Sequence, residues 1–260
     1  MEIAGYFAAA IVGLTMGLLG GGGSILTIPI LVYLFHISPT LAISYSLFIV
    51  GVTSLVGAMN NLRNKQVDLK TVLLFGSASV TTVFITRKFI IPIVPDVFFT
   101  IGDYEVTHAM FVMVMFAILM VAASVSMIRN RKPRTGTGTA NPRRLIGYGI
   151  LIGLVTGFLG AGGGFLLIPA LVLLMRLPMK RAIGSSLLII SMNSLVGFAG
   201  DLGRHKVEWQ LVLTLTIIAI AGIFAGGYLN TRIPGRKLKV AFGWFVLVVG
   251  IYIILRETIF

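Results

Sequence analysis

The sequence predicts an all-α integral membrane protein. It is expected to be an inverted-topology repeat of two halves, each with a Gly-broken re-entrant helical hairpin plus three transmembrane helices. Three observations predict this: a lipid-adapted composition, two overlong apolar segments cut by glycines, and a gapless repeat between the halves. Of the 260 residues, 57% are hydrophobic and 11% charged. A soluble domain carries about 25% charged residues, so lipid is the solvent. Apolar runs longer than about 18 residues recur along the chain. A multi-pass protein of the cell membrane is therefore expected. No basic stretch or small-residue cleavage site precedes the first run, and no cleaved signal peptide is expected. The chain has no cysteine, which removes disulfides and thiolate metal sites. The net charge of +13 fits basic loops on the cytoplasmic side better than a nucleic-acid surface.

The apolar segments span residues 3–35, 39–60, 71–86, 107–128, 145–175, 182–200, 209–231 and 240–255. Between the fourth and fifth lies RNRKPRTGTGTANPRR, a basic stretch rich in Gly, Thr and Pro. It reads as a linker at 129–144 between a first repeat, 1–128, and a second, 145–260. Residues 17–68 align without a gap on 157–208, with 22 identities in 52 positions. The glycine clusters and the prolines Pro29 and Pro169 align at an offset of 140. Internal duplication of this kind is frequent in secondary transporters.

The segments 3–35 and 145–175 are too long for one crossing. Thirty-three residues of helix extend about 50 Å, against a hydrocarbon core of about 30 Å. Each is cut near its middle by glycines, which accept positive φ and weaken a helix by about 1 kcal/mol relative to Ala. Two short helices per segment are the expected product, either as a kinked span or as a hairpin that turns back. Loop charge separates the two geometries. With single crossings the basic residues divide 12 to 9 between the two sides, and with hairpins 16 to 5. The second division puts the 129–144 linker in the cytoplasm and the loop carrying Asp96, Asp103 and Glu105 on the opposite side. A hairpin plus three spans makes an odd number of crossings, which inverts the second half.

The two hairpins would then meet near the midplane. Their second short helices begin near Ser24 and Gly164. A helix N-terminus presents about four unpaired N–H groups and roughly half a positive charge, a ready anion site. Close helix packing through small residues is the competing role for the glycines. Polar residues on the next span of each half add donors: Ser44, Tyr45 and Ser46, then Ser185, Ser186 and Asn193. Serines can instead bond their own helix backbone. Ser46 and Ser186 stand out as the pair shared by both halves. No Asp, Glu, Lys or Arg falls inside a predicted span, which argues against a proton pump or voltage sensor. His36 and His205 fall in loops and His108 near a span end, without metal-ligand spacing. No Ser/His/Asp set or carboxylate pair is seen, and no Lys-Ser or Lys-Thr follows the glycine runs as a phosphate loop requires. Neither cofactor nor metal is expected.

GGGGSILTIP and GAGGGFLLIP, followed by AISYSL and AIGSSL and by SLVG in each half, resemble the TauE/SafE family. The resemblance covers nearly the whole chain. It implies a membrane permease associated with export of sulfite, sulfoacetate and related organosulfur anions. It also implies substrate contacts at the glycine turns, here Gly22, Gly23, Ser24, Gly162, Gly163 and Gly164. A small anion and the bilayer are the expected partners, with a homodimer open as the assembly. An interior-negative potential expels anions unaided, which favours export. An importer or channel for another small anion is the alternative within transport, and a membrane-embedded enzyme or scaffold the alternative outside it.

Overall fold

The computed structural model describes residues 2–21, 24–95, 97–101, 104–128, 142–160, 163–175, 177–203, 206–230 and 235–259. Gly22, Gly23, Gly162 and residues 129–141 of the linker lie outside the described residues. The described residues are helical almost throughout. The first half holds α1 (Glu2–Leu19), α2 (Ser24–Tyr33), α3 (Pro39–Arg63), α4 (Leu69–Ile93) and α5 (His108–Ile128). The second holds α6 (Pro142–Leu159), α7, α8 (Met179–Asp201), α9 (Trp209–Asn230) and α10 (Gly235–Ile259). Here α7 is the helix Gly164–Pro169 running on as a π-helical turn, Ala170–Leu174. Among the described residues, α3, α4, 180–201 of α8 and 209–229 of α9 are long and apolar enough to cross a membrane.

One element departs from the all-α expectation. Between α4 and α5, β1 (Val97–Ile101) and β2 (Tyr104–Thr107) form an antiparallel pair with Thr100 opposite Glu105 and Ile101 opposite Tyr104. The acidic residues of this stretch point to a loop. Its Val, Phe, Thr, Ile and Tyr content is that of a strand.

The overlong segments break where the glycines fall. Gly20 has φ +74° and Gly160 φ +65°, a region that costs a side-chain-bearing residue strain. At each break the glycine N–H still donates to the carbonyl four residues back, Gly20 to Met16 and Gly160 to Thr156, both at 2.8 Å. The same local geometry thus recurs at the offset of 140. Beyond the first break the chain doubles back, since the rings of Tyr6 and Phe35 pack edge-on with centroids 5.8 Å apart. In one straight helix the two residues would lie about 43 Å apart.

The main helix–helix interfaces all join the two halves: α1 with α9, α6 with α4, α3 with α8, and α5 with α10. At the offset of 140 the α1–α9 interface is matched by α6–α4, and the α3–α8 interface is its own equivalent. Small residues make these approaches close. A Cβ on Gly13 would overlap the Ala219 carbonyl, and one on Gly153 would lie 2.7 Å from the Ser79 carbonyl oxygen. Residues 79 and 219 are again 140 apart, so the repeat extends well into α4 and α9. Backbone-to-backbone contact of this kind holds helices together where lipid supplies no hydrophobic drive between them. Large apolar side chains such as Phe7, Leu73, Ile93 and Ile217 point outward, Ile93 at 81% exposure. They coat a surface suited to acyl chains.

The packing predicts a contrast along α6. A Cβ at Gly147 meets nothing within 4 Å, whereas one at Gly153 meets the α4 backbone. Gly147→Ala is expected to leave melting unchanged or raise stability by up to about 1 kcal/mol. Gly153→Val is expected to abolish recovery of monodisperse protein. Detergent size-exclusion and thermal melting of both variants provide the check.

Candidate functional site

The two glycine breaks touch. A Cβ built on Gly21 would lie 3.0 Å from the Gly164 Cα, and one on Gly164 would overlap the Gly21 carbonyl oxygen. Any side chain at either residue would part them. Each break is capped by an isoleucine from the other half: Ile183 lies over Gly20 and Ile43 over Gly160. Ser24 opens α2 and Gly164 opens α7, with Gly163 before it at φ +65°. Gly163 backs onto Thr156, whose hydroxyl a Cβ there would overlap.

The polar residues predicted from the sequence divide into two groups. Tyr45 and Ser185, 140 apart, do the same thing in opposite halves. The Glu208 N–H donates to the Tyr45 hydroxyl at 3.0 Å, and the Asp68 N–H to the Ser185 hydroxyl at 2.8 Å. Glu208 and Asp68 are themselves 140 apart and precede α9 and α4. Asp68 also caps α4, its carboxylate accepting from the Thr71 N–H at 2.8 Å. These two hydroxyls therefore lash each half to the other. Ser186 donates to the Ile183 carbonyl of its own helix at 2.9 Å.

Ser46 and Asn193 differ. The Ser46 hydroxyl and the Asn193 carbonyl oxygen are buried with no partner among the described residues, while the Asn193 amide donates to Ser79 at 2.8 Å. The hydroxyls of Thr53 and Ser54 on α3 and Ser194 on α8 are buried and unpartnered too. Thr53 with Asn193 and Ser54 with Ser194 are repeat equivalents. Repeat-paired positions on α3 and α8 thus carry buried polar atoms with no partner among the described residues. Buried polar groups are normally satisfied, which sets these positions apart from the hydroxyls bonded to their own helix.

One sequence expectation is corrected. Charged residues do lie inside the helices: Arg87 in α4 is 3% exposed and Asp201 at the end of α8 is 6% exposed. The Arg87 guanidinium lies 3.4 Å from the Asp201 carboxylate, which also accepts from the Ser44 hydroxyl at 2.5 Å. The predicted spans stopped at residues 86 and 200, one short of each charge. Hydropathy cannot separate a charge that ends a span from a charge buried at its end. Lys88 shows the other fate, its ammonium 5.2 Å from the Phe84 ring centroid. A usable signal was present at Arg87, which continues an apolar run without a Gly, Pro, Asn or Asp between.

Two predictions follow from these positions. Gly21→Val and Gly163→Val should insert in the membrane but lose transport, measured by flux in proteoliposomes, because a Cβ at Gly21 parts the touching turns and one at Gly163 overlaps the Thr156 hydroxyl at a positive φ. Tyr45→Phe and Ser185→Ala should each lower stability by about 0.5–1.5 kcal/mol, read as melting temperature in detergent. Unchanged melting would mean that these hydroxyls do not tie the halves together.

Comparison with known proteins adds an independent line. The family model described as Sulfite exporter TauE/SafE matches residues 6–253. A probable membrane transporter protein of Xylella fastidiosa (strain Temecula1) is 30% identical over 258 residues, covering 96% of this chain and 94% of the relative. The probable membrane transporter protein YunE of Bacillus subtilis is 28% identical over 251 residues, covering 88% and 86%. The probable membrane transporter protein MJ0441 of Methanocaldococcus jannaschii is 22% identical over 262 residues, covering 94% and 92%.

Proposed function

The chain belongs to the sulfite exporter TauE/SafE family, and from that premise we propose that it is a permease exporting a small sulfur-containing oxyanion, such as sulfite, sulfoacetate or a related sulfonate. Its substrate site is the place where the two glycine turns meet, near the bilayer midplane, between the starts of α2 and α7. The observation that carries this reading is the contact of Gly21 with Gly164. Irregular backbone is tolerated at membrane depth only where protein or a polar cavity surrounds it. Each helix start favours negative charge by about 0.3–1 kcal/mol, and by up to about 2 when partly buried. That suffices to select the sign of charge. It falls short of stripping the hydration from a dianion, so a singly charged oxyanion, such as hydrogensulfite or a simple sulfonate, is preferred over sulfate.

The broken segments act in this reading as re-entrant hairpins, entering from opposite faces of an inverted repeat. The close approach of Tyr6 to Phe35 and the recurrence of the α1–α9 packing as α6–α4 at an offset of 140 support it. The 129–144 linker is then cytoplasmic and both termini lie outside. The membrane potential contributes about 2.3 kcal/mol per charge per 100 mV, in the direction of anion export.

Two experiments test the proposal. In proteoliposomes offered sulfite, sulfoacetate, taurine, sulfate and chloride, flux of sulfite or sulfoacetate should exceed the rest and rise when the potential drives negative charge outward. Transport of a cation with no anion flux would end this reading. Single cysteines at Met1, Thr137 and Phe260, probed with an impermeant reagent on intact cells, should label at the two ends only. Labelling at Thr137 alone would overturn the inverted arrangement.

A further inference from the structure

We propose that Arg87 is the cationic residue of the anion path, and that Asp201 is the built-in counter-ion which the anion displaces from it. This rests on the permease reading above and adds a charged binding group that the glycine turns by themselves do not supply.

The first observation is where the guanidinium lies. A Cβ on Gly160 would sit 2.9 Å from the Arg87 Nη2, and a Cβ on Gly200 3.1 Å from the Arg87 Cβ. Arg87 therefore spans from the end of α8 to the second glycine break. It rises from a π-helical turn, Thr86–Ile90, an irregularity frequent at functional sites because it re-aims one side chain.

The second observation is the company it keeps. Thr86 and Thr156 carry buried hydroxyls with no partner among the described residues. Thr86 lies against Gly157, a Cβ there being 3.3 Å from its hydroxyl oxygen, and Thr156 lies against Gly163. Two open hydroxyls and a guanidinium thus surround one glycine break. Oxyanions are bound by such a set, with Arg giving charge-assisted and bidentate hydrogen bonds.

The third observation is that the repeat breaks here. At the offset of 140, Arg87, Asp201 and Ser44 correspond to Gly227, Asn61 and Gly184, and Thr86 and Thr156 to Gly226 and Met16. The repeat-equivalent helices α9, α3 and α1 pack without ions or hydroxyls at these places. The ion pair is thus dispensable for the packing. A buried pair also contributes little stability relative to neutral residues, because desolvation offsets its attraction. Ionisable groups at membrane depth mark substrate and ion routes. With Asp201 and Ser44 closing on Arg87, the empty path keeps no uncompensated charge. An arriving oxyanion takes the guanidinium and leaves Asp201 to Ser44. In the topology proposed above, this exchange lies on the outer side of the glycine turns, where an exported anion departs.

Sulfite transport by proteoliposomes, with melting in detergent with and without sulfite, tests the assignment. Asp201→Asn frees the guanidinium of its competitor. It should lower the KM for sulfite by about 10-fold, slow maximal flux and enlarge the sulfite-dependent rise in melting temperature. The paired variant R87Q/D201N removes both charges with little change in volume. It should stay monodisperse, raise KM by about 10-fold or more and lose the sulfite-dependent melting shift. A paired variant with wild-type KM would overturn the assignment and leave the permease reading standing. An Asp201→Asn protein with unchanged or raised KM would overturn it as well, and decides the matter if the paired variant fails to insert. Absence of sulfite and sulfonate flux in the wild-type protein would instead bring down the permease reading, and this assignment with it.

Discussion

The structure depends on one constraint: backbone N–H and C=O groups cannot be left bare in hydrocarbon. Two segments nonetheless lose their helix in mid-course. At the first break, Gly20 keeps its bond to Met16 and the chain turns within a few residues. The second break repeats this geometry. Irregular backbone at Gly21 is then covered by the start of α7 at Gly164. Each half hides the exposed backbone of the other, and neither could do so alone. That mutual cover explains why all the main interfaces cross between halves. It also explains why the reciprocal bonds from Glu208 to Tyr45 and from Asp68 to Ser185 fasten one half to the other.

Symmetry built from a repeat produces two equivalent ends, yet these two differ. Here the difference lies in a few side chains on a common scaffold. Around the second break gather Thr86, Arg87, Thr156 and Asp201; around the first, Gly226, Gly227, Met16 and Asn61 occupy the matching places. The fold is kept by small residues and backbone contacts, which both halves share. Charge and hydroxyls can therefore vary between halves without cost to the packing. The neutral polar residues on α3 and α8, Thr53, Ser54, Asn193 and Ser194, keep closer to the repeat.

Much of this architecture is readable from residue order. Composition places the chain in lipid, the offset of 140 reveals the duplication, and glycines inside overlong apolar runs locate the two breaks. These are local properties: hydropathy, periodicity and the steric freedom of Gly act within a few residues of chain. The sequence also singles out Ser46 and Ser186 as equivalents. It is the fold that separates them, since Ser186 bonds its own helix at Ile183 while Ser46 has no partner among the described residues.

Tertiary structure alone decides which charges are buried and which backbones meet. Arg87 and Lys88 are neighbours in sequence with the same formal charge, yet one turns inward to Asp201 and the other lies over Phe84. Asp201 is 114 residues beyond Arg87 and Ser44 is 157 residues before Asp201. No periodicity links such positions, because their meeting depends on how α3, α4 and α8 cross. The pairing of Gly21 with Gly164 is of the same kind. Sequence determines that each segment must break; only the packing of two inter-dependent halves determines that the breaks cover one another, since the groups left unsatisfied by one break find their cover in a distant part of the chain.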